Sequence, residues 1–405
     1  MKNDSLSHLF KENEYINENY MACSGIDEPH ENYYGAVAPA LIQTSLFVQK
    51  NYQQYCDDML HEAERYIYSR GLNPTVEMLE KKLARLEVGA ACKCFSSGMG
   101  AISATLLSIM NSGDHIILVS NIYGPTIMLI EKMAEKYHIE YDIVLSNSID
   151  DIKRKIKPQT KAIYTESPAT MTMKIVDLTE IAKLAKKHSI TTIIDNTWST
   201  PIFQKPISLG FDIVIHSCTK YIGGHSDLTG GAVISSIKYI DKIRDFSHQL
   251  IGAIMSPNTA WLLLRGLRTL PMRMENHQKN TIEIIRFLSS RPEIENICHP
   301  YFADDAQRAI IKKQMYGFSG LFSFELKNGD FTHVKKFIDS CSTFKIGCSW
   351  GGYESLIISP NRGYNQDSLL KSNISPGLIR VSIGHENPDI LIRDLVGALG
   401  QLSKV

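Results

Sequence analysis

The chain has no net charge: 43 lysines and arginines are balanced by 43 aspartates and glutamates over 405 residues. That balance supplies no field for holding nucleic acid or an anionic membrane, and a small-molecule substrate is expected instead. No apolar stretch is long enough to cross a bilayer, and the first twenty residues are polar and of mixed charge, so no export signal is read and a cytoplasmic location is expected. The eight cysteines lack disulfide or zinc spacing, since Cys92 and Cys94 are separated by one residue, and they read as reduced thiols. The histidines, His216 and His225 among them, show no ligand spacing; no metal is expected and these rings read as structural. There is no internal repeat and no low-complexity linker.

The chain that remains is too long for one simple core. Residues 1–70 have little periodicity, carry Gly35-Ala36-Val37-Ala38-Pro39 and several tyrosines, and read as an extended arm of the kind that embraces a neighbouring subunit. Residues 71–257 alternate between helical and strand patterns. Thr75 to Leu86 is amphipathic, with Val76, Leu79, Leu83 and Leu86 on one face. After it come a helix opening near Ser97-Gly98-Met99, a β-rich run His115 to Val119, a helix Pro125 to Tyr137, a run Ala162 to Tyr164, a helix Leu178 to His188 and a strand Thr191 to Ile194. Asp212 to His216 and Gly231 to Ser235 are further buried strands. This βαβ series predicts an α/β fold with a mostly parallel sheet covered on both faces. Residues 258–405 differ in character. Pro257 to Glu275 is helical, Gly320 to Leu326 and Leu378 to Ile383 are strands, Thr332 to Cys341 and Asp389 to Leu399 are helices, and a smaller C-terminal α/β domain is expected.

One segment carries the chemistry. Lys220 lies in Ser217-Cys218-Thr219-Lys220-Tyr221-Ile222-Gly223-Gly224, downstream of an apolar run closed by Asp195. A lone lysine in a loop is ordinarily a solvated surface residue. Here the flanking hydroxyls and glycines, with an acid closing a buried strand one unit upstream, form the arrangement that pyridoxal phosphate requires. The lysine takes the cofactor aldehyde as a Schiff base, the carboxylate keeps the pyridine nitrogen protonated, and the hydroxyls of Ser217 and Thr219 bind phosphate. Open α/β sheets bind ligands at the carboxyl ends of their strands, so Asp195 and the Lys220 turn are expected in one crevice.

Other positions are less decided by spacing. Ser96-Ser97-Gly98-Met99-Gly100 opens a helix whose free amides suit a phosphate; it is no dinucleotide fingerprint, because Ser103 stands where the third glycine would be. Tyr68-Ser69-Arg70 pairs a phenol with a guanidinium, suited to phosphate or to an exposed turn. Tyr123 follows a strand at the sheet edge and fits a core tyrosine as well as a ring stacked on a pyridine. Arg380 is a charge inside an apolar strand, and its partner is either a structural carboxylate or a substrate's α-carboxylate.

With these residues in view, the chain resembles the Cys/Met-metabolism family of pyridoxal phosphate enzymes, fold type I, from Tyr34-Gly35-Ala36-Val37 to the C-terminal helix. The resemblance implies that Tyr68 and Arg70 are phosphate ligands given to a neighbouring subunit. Gly98 and Met99 match the backbone phosphate site, and Tyr123 the ring-stacking tyrosine. Asp195 matches the pyridinium partner, Ser217 and Thr219 the phosphate hydroxyls, Lys220 the Schiff-base lysine. Ser349, Trp350 and Arg380 match the holders of the substrate α-carboxylate. It also implies a homotetramer of two dimers. Glu166 to Met173, Ser319 to Phe324 and Ser349 to Leu356 are most similar to the bacterial cystathionine β-lyase branch, which implies β-elimination of cystathionine to homocysteine, pyruvate and ammonia, with Lys220, Tyr123 and Asp195 as the catalytic set. Two positions depart from the patterns: Cys348 stands where γ-eliminating members often have glutamate and β-lyases often have tyrosine, and Gly71 follows Arg70 where some β-lyases have a second arginine. The rival activities are γ-elimination or γ-replacement on cystathionine, methionine or homoserine esters, and, from another class, a binding protein that kept the fold without the chemistry.

Overall fold

The computed structural model describes residues 21–23, 34–327 and 329–402; the start of the arm lies largely outside the described residues. Two sheets organise the chain. The first holds β1 (Ala91–Phe95), β2 (His115–Val119), β3 (Glu140–Val144), β4 (Thr160–Glu166), β5 (Thr191–Asp195), β6 (Ile213–His216) and β7 (Gly231–Ser235), in the order β1-β7-β6-β5-β4-β2-β3. β3, β2, β4, β5 and β6 run parallel in that order, and β7 lies antiparallel between β6 and β1. The sheet is thus mostly parallel, as the alternating pattern predicts. Its central strands are unbroken apolar runs, because helices cover both faces: β2 is buried at every position, and Ile193, Ile194, Ile213, Val214 and Ile215 have no exposed surface.

Local signals set the helix ends. Asn73 caps Pro74–Leu86 by accepting the Thr75 N–H at 3.0 Å, with Pro74 in the first turn. That helix buries Leu79, Leu83 and Leu86, and also Glu80, whose carboxylate meets the Lys93 ammonium of β1 at 2.9 Å. The helical stretch expected from Pro257 divides into Pro257–Leu267 and Leu270–Ser289. Pro271 is the cause, since it suits a first turn and not a helix interior. β1 and β3 were not anticipated: Ala91–Phe95 is short and carries Lys93, and Glu140–Val144 is an edge strand with only Val144 buried.

The second sheet contains β8 (Ile294–Cys298), β9 (Leu321–Leu326), β10 (Lys345–Ile346), β11 (Leu356–Ile358) and β12 (Leu378–Ser382), ordered β10-β11-β12-β9-β8. Phe322, Phe324, Ile379 and Val381 meet Ile284, Ile285, Phe337, Leu395 and Leu399 from helices Leu270–Ser289, Phe331–Asp339 and Pro388–Leu402 in one apolar core.

The described part of the arm is more structured than an extended reading anticipates. It contains a helix, Tyr52–Met59, capped by Asn51, and segments around Leu46 and Tyr68 pair antiparallel. It is tied to the body where Thr75 Oγ1 donates to Ala40 O at 3.0 Å and Trp261 Nε1 donates to Pro39 O at 2.9 Å. Beyond those ties it leaves Tyr34, Val37, Val48, Tyr52 and Leu60 exposed. Among the described residues no helix is long and apolar enough to cross a membrane.

Candidate active site

At the carboxyl edge of the first sheet, Glu166 and Asp195 end β4 and β5 in register with one another. Asp195 Oδ1 accepts the Thr197 N–H at 3.0 Å and also the Thr197 hydroxyl. The Thr197 oxygen in turn accepts the Ser217 N–H at 2.8 Å, which joins the carboxylate to the turn bearing Lys220. Glu166 accepts the Tyr123 N–H at 2.6 Å. Burial raises both carboxyls, and the Asp195 charge raises Glu166 further, well above the usual range. Thr197, His216 and Lys220 oppose the rise at Asp195, whereas backbone N–H groups alone oppose it at Glu166, so Glu166 is pushed up further than Asp195. Glu166 had been read from sequence only as part of a family segment, because a single acid at a strand end carries no spacing signal.

The turn after β6 is wound tightly. Ser217 O accepts the Lys220 N–H at 3.1 Å, Cys218 O the Gly223 N–H at 2.8 Å and Lys220 O the Gly224 N–H at 2.8 Å. The Thr219 hydroxyl donates to Gly230 O at 3.2 Å and accepts the Gly230 N–H at 3.0 Å. Beneath the turn the buried Arg273 guanidinium donates to Tyr221 O at 2.6 Å and Gly266 O at 2.8 Å. These bonds leave the lysine side chain as the part free to turn. Lys220 Nζ donates to Ser349 Oγ at 2.9 Å and lies 5.3 Å from the centroid of the Trp350 ring. Burial, with the Arg380 cation nearby, lowers its amine to about 8.

Helix Gly98–Ile109 points its amino end at the same turn. Ser97 caps it by accepting the Gly100 N–H at 3.0 Å, and the Ala101 N–H goes to Ser97 O at 3.1 Å. The amides of Gly98 and Met99 are therefore left for a ligand. A Cβ on Gly98 would stand 2.9 Å from Ser217 Oγ, so glycine is what lets the helix end close on the hydroxyl. Hydroxyls, first-turn amides, a buried carboxylate and a desolvated amine on one sheet edge form a donor set that fits pyridoxal phosphate.

The second sheet completes the crevice. Gly351, at φ +82°, approaches so closely that a Cβ would meet Tyr221 N at 2.8 Å, and this brings Ser349 and Trp350 onto the lysine. The Trp350 ring also meets Tyr221 edge-on, centroids 5.5 Å apart. Arg380, in β12, is buried and donates to Cys348 O at 3.0 Å; burial lowers the guanidinium to about 10. Tyr123 is half-exposed at the head of helix Gly124–Tyr137, and burial together with the charges of Cys348, Glu166 and Asp195 raises its phenol. Tyr68 and Arg70 are not brought to this crevice within one chain. They meet each other on the arm, guanidinium carbon 5.4 Å from the ring centroid.

This architecture, a mostly parallel seven-stranded sheet with a lysine turn at its carboxyl edge and a second sheet closing over it, is that of a fold type I pyridoxal phosphate enzyme. The family described as Cys/Met metabolism PLP-dependent enzyme matches residues 23–400, and the chain belongs to it. It is 40% identical over 369 residues to cystathionine beta-lyase of Lactococcus lactis subsp. cremoris, covering 90% of this chain and 94% of that protein. It is 38% identical over 378 residues to L-methionine gamma-lyase of Fusobacterium nucleatum subsp. polymorphum, covering 92% and 95%. The crystal structure of cystathionine gamma synthase from Xanthomonas oryzae pv. oryzae matches with a TM-score of 0.88 at 32% identity, over 96% of this chain and 98% of that one. The protein is therefore a pyridoxal phosphate-dependent enzyme of sulfur amino acid metabolism, in the carbon–sulfur lyase group.

Proposed function

We propose that the enzyme catalyses β-elimination of a sulfur amino acid, with cystathionine and one water giving homocysteine, pyruvate and ammonia. The observation that carries this reading is the placement of Lys220: its amine is lowered to about 8 and lies 2.9 Å from Ser349 Oγ, and the residue before Ser349 is Cys348, a thiol and not a carboxylate. When bound, pyridoxal phosphate supplies the electron sink for the pair left at Cα as its proton departs.

The chain's own residues do the rest. Ser217, Thr219 and the Gly98 and Met99 amides would hold the phosphate of the cofactor, Asp195 would keep its pyridine nitrogen protonated, and Tyr123 would stack on its ring. Tyr68 and Arg70, set on the arm, reach the phosphate of a neighbouring subunit in a tetramer of two dimers. Arg380, Ser349 and Trp350 seat the substrate α-carboxylate and so aim Cα–H at Lys220 Nζ. Desolvation makes that amine easier to deprotonate than an ordinary lysine, and in its neutral form it takes the Cα proton. The Cβ–S bond then breaks and the thiolate leaves with the sulfur electron pair. By function the chain divides into an arm at 1–70, a cofactor domain at 71–257 and a C-terminal domain at 258–405, working in the cytoplasm.

A second reading is favoured by the methionine gamma-lyase relative, of nearly equal identity. In γ-elimination or γ-replacement the same amine removes a second proton, from Cβ, before the bond at Cγ breaks. Product analysis separates the two: pyruvate with homocysteine supports β-elimination, and 2-oxobutyrate with cysteine replaces it by the γ reading. If position 348 controls the outcome, Cys348→Glu moves product toward 2-oxobutyrate.

A further inference from the structure

Tyr221, the residue after Lys220, is joined to the second sheet by a closed circuit of contacts that the proposed chemistry does not use. Its side chain is fully buried. The Tyr221 hydroxyl accepts the Gly320 N–H at 2.8 Å, at the entry to β9. Gly320 O accepts the Ile383 N–H at 2.8 Å, one residue past β12. His277 Nδ1 donates to Ile383 O at 2.7 Å, and the His277 ring, carried by helix Leu270–Ser289, meets the Tyr221 ring edge-on with centroids 4.9 Å apart. A Cβ on Gly320 would stand 2.8 Å from Ile383 O and 3.1 Å from His277 Nδ1, so glycine is what lets the circuit close. The same end of β12 also holds the segment over the lysine: Ser382 Oγ accepts the Gly351 N–H at 3.2 Å, and Ser349 and Trp350 directly precede Gly351.

Packing alone does not demand the hydroxyl. A phenylalanine would fill nearly the same space, whereas a buried phenol costs free energy unless it is hydrogen-bonded, and this one gives its acceptor site to an N–H from the other sheet. The backbone of Tyr221 is fixed as well, since the Arg273 guanidinium donates to its carbonyl at 2.6 Å. The Lys220 turn and the end of the strand bearing Arg380 are therefore bound to one another through a single side chain. We propose that Tyr221, supported by His277 and Gly320, is a positioning residue that sets the spacing between the Lys220 amine and the Arg380 guanidinium, and so where Cα–H lies once the α-carboxylate is seated. The proposal rests on the reading of Lys220 as the base and of Arg380 as the carboxylate holder. It holds for β- and γ-elimination alike, since both begin at Cα–H. A faulty spacing costs rate more than binding: the carboxylate still finds its guanidinium, but proton transfer falls steeply when the reacting atoms are misplaced.

Tyr221→Phe tests this, because it keeps the ring and removes only the acceptor. In the cofactor-free full chain, hydrogen exchange followed by mass spectrometry should run about ten-fold faster in the peptides covering 349–353 and 381–385, while the peptide covering β2 keeps its wild-type rate; the contrast separates loosening of this circuit from a general loss of stability. In the loaded enzyme, kcat on cystathionine should fall about ten-fold or more with KM changed less than about three-fold, and the isotope effect of deuterium at Cα should rise as proton removal comes to limit the rate. A hydroxyl that served folding alone would leave the isotope effect where it is. Should the variant fail to fold, His277→Leu breaks the circuit at Ile383 O with the Tyr221 hydroxyl kept, and the same pattern is expected. Wild-type exchange in both peptides, or wild-type kcat and isotope effect, overturns the positioning role. Borohydride trapping of the cofactor on another lysine, or a wild-type KM in Arg380→Met, overturns instead the reading of Lys220 or of Arg380, and with it the catalytic half of the proposal.

Discussion

Replacing Arg380 by methionine should make the empty protein more stable and the enzyme much worse. Arg380 is 7% exposed, donates a hydrogen bond to the Cys348 carbonyl, and makes no ion pair among the described residues. Burial lowers its guanidinium from the ordinary arginine range to about 10. At about 1.36 kcal/mol per unit, the folded protein holds this charge at a cost on the order of 3 kcal/mol, which an arriving carboxylate would offset. Methionine fills similar volume, removes that cost and gives up one hydrogen bond worth roughly 1 kcal/mol, so a net gain of about 1–2 kcal/mol is expected in the substrate-free state. Catalysis moves the other way. Losing a charge-assisted, two-pronged contact to the substrate carboxylate costs roughly 2–5 kcal/mol, which is about 30- to 5,000-fold in kcat/KM, most of it in KM. Steady-state kinetics on cystathionine and thermal melting of the cofactor-free protein check both halves. A KM near that of wild type together with a lower melting temperature would refute the argument and make Arg380 a structural cation.

The lowered Lys220 amine sets a pH dependence: below about 8 the group is protonated and cannot attack an aldehyde, so the rate of cofactor rebinding to empty protein should climb with pH and level off near 8. A climb continuing toward 10.5 would mean the amine is not desolvated; borohydride trapping followed by peptide mapping should place the bound cofactor on Lys220. Asp195→Asn should nearly abolish elimination while the cofactor stays attached, because a neutral amide no longer favours the charged ring; turnover near normal would show that another group fills the role. Arg70→Ala should weaken cofactor retention, and mixing it with Lys220→Ala should regain activity through hybrid sites with wild-type residues from both chains. Verified hybrid dimers without activity would remove the shared site.

What the structure adds to Lys220 is its surroundings. Ser349 and Trp350 come from the second sheet, about 130 positions along the chain, and they reach the amine only because Gly351 adopts a positive φ and packs directly on Tyr221. The two sheets therefore share one site: shifting β12 would displace Arg380 and, through its bond to the Cys348 carbonyl, the segment that holds the amine. This coupling gives the second sheet a part in shaping the crevice around Lys220 beyond capping the fold.

Much of this was legible in the chain itself. Periodicity placed β2 and β7 to the residue and most other predicted elements within a few positions, since strands buried on both faces read as apolar runs and amphipathic helices repeat every three to four residues. The Lys220 turn and Asp195 were visible because their chemistry needs particular residue types close in sequence. Tertiary structure alone decided the rest. An antiparallel β7, the pairing of Glu166 with Asp195 and the burial of Glu87 against His216 depend on which strands become neighbours, and strand order is written in no local pattern. Nor could sequence give the electrostatics: which of two adjacent carboxyls is raised further, and why a lysine amine is lowered, follow from desolvation and from charges that the fold brings across long stretches of chain.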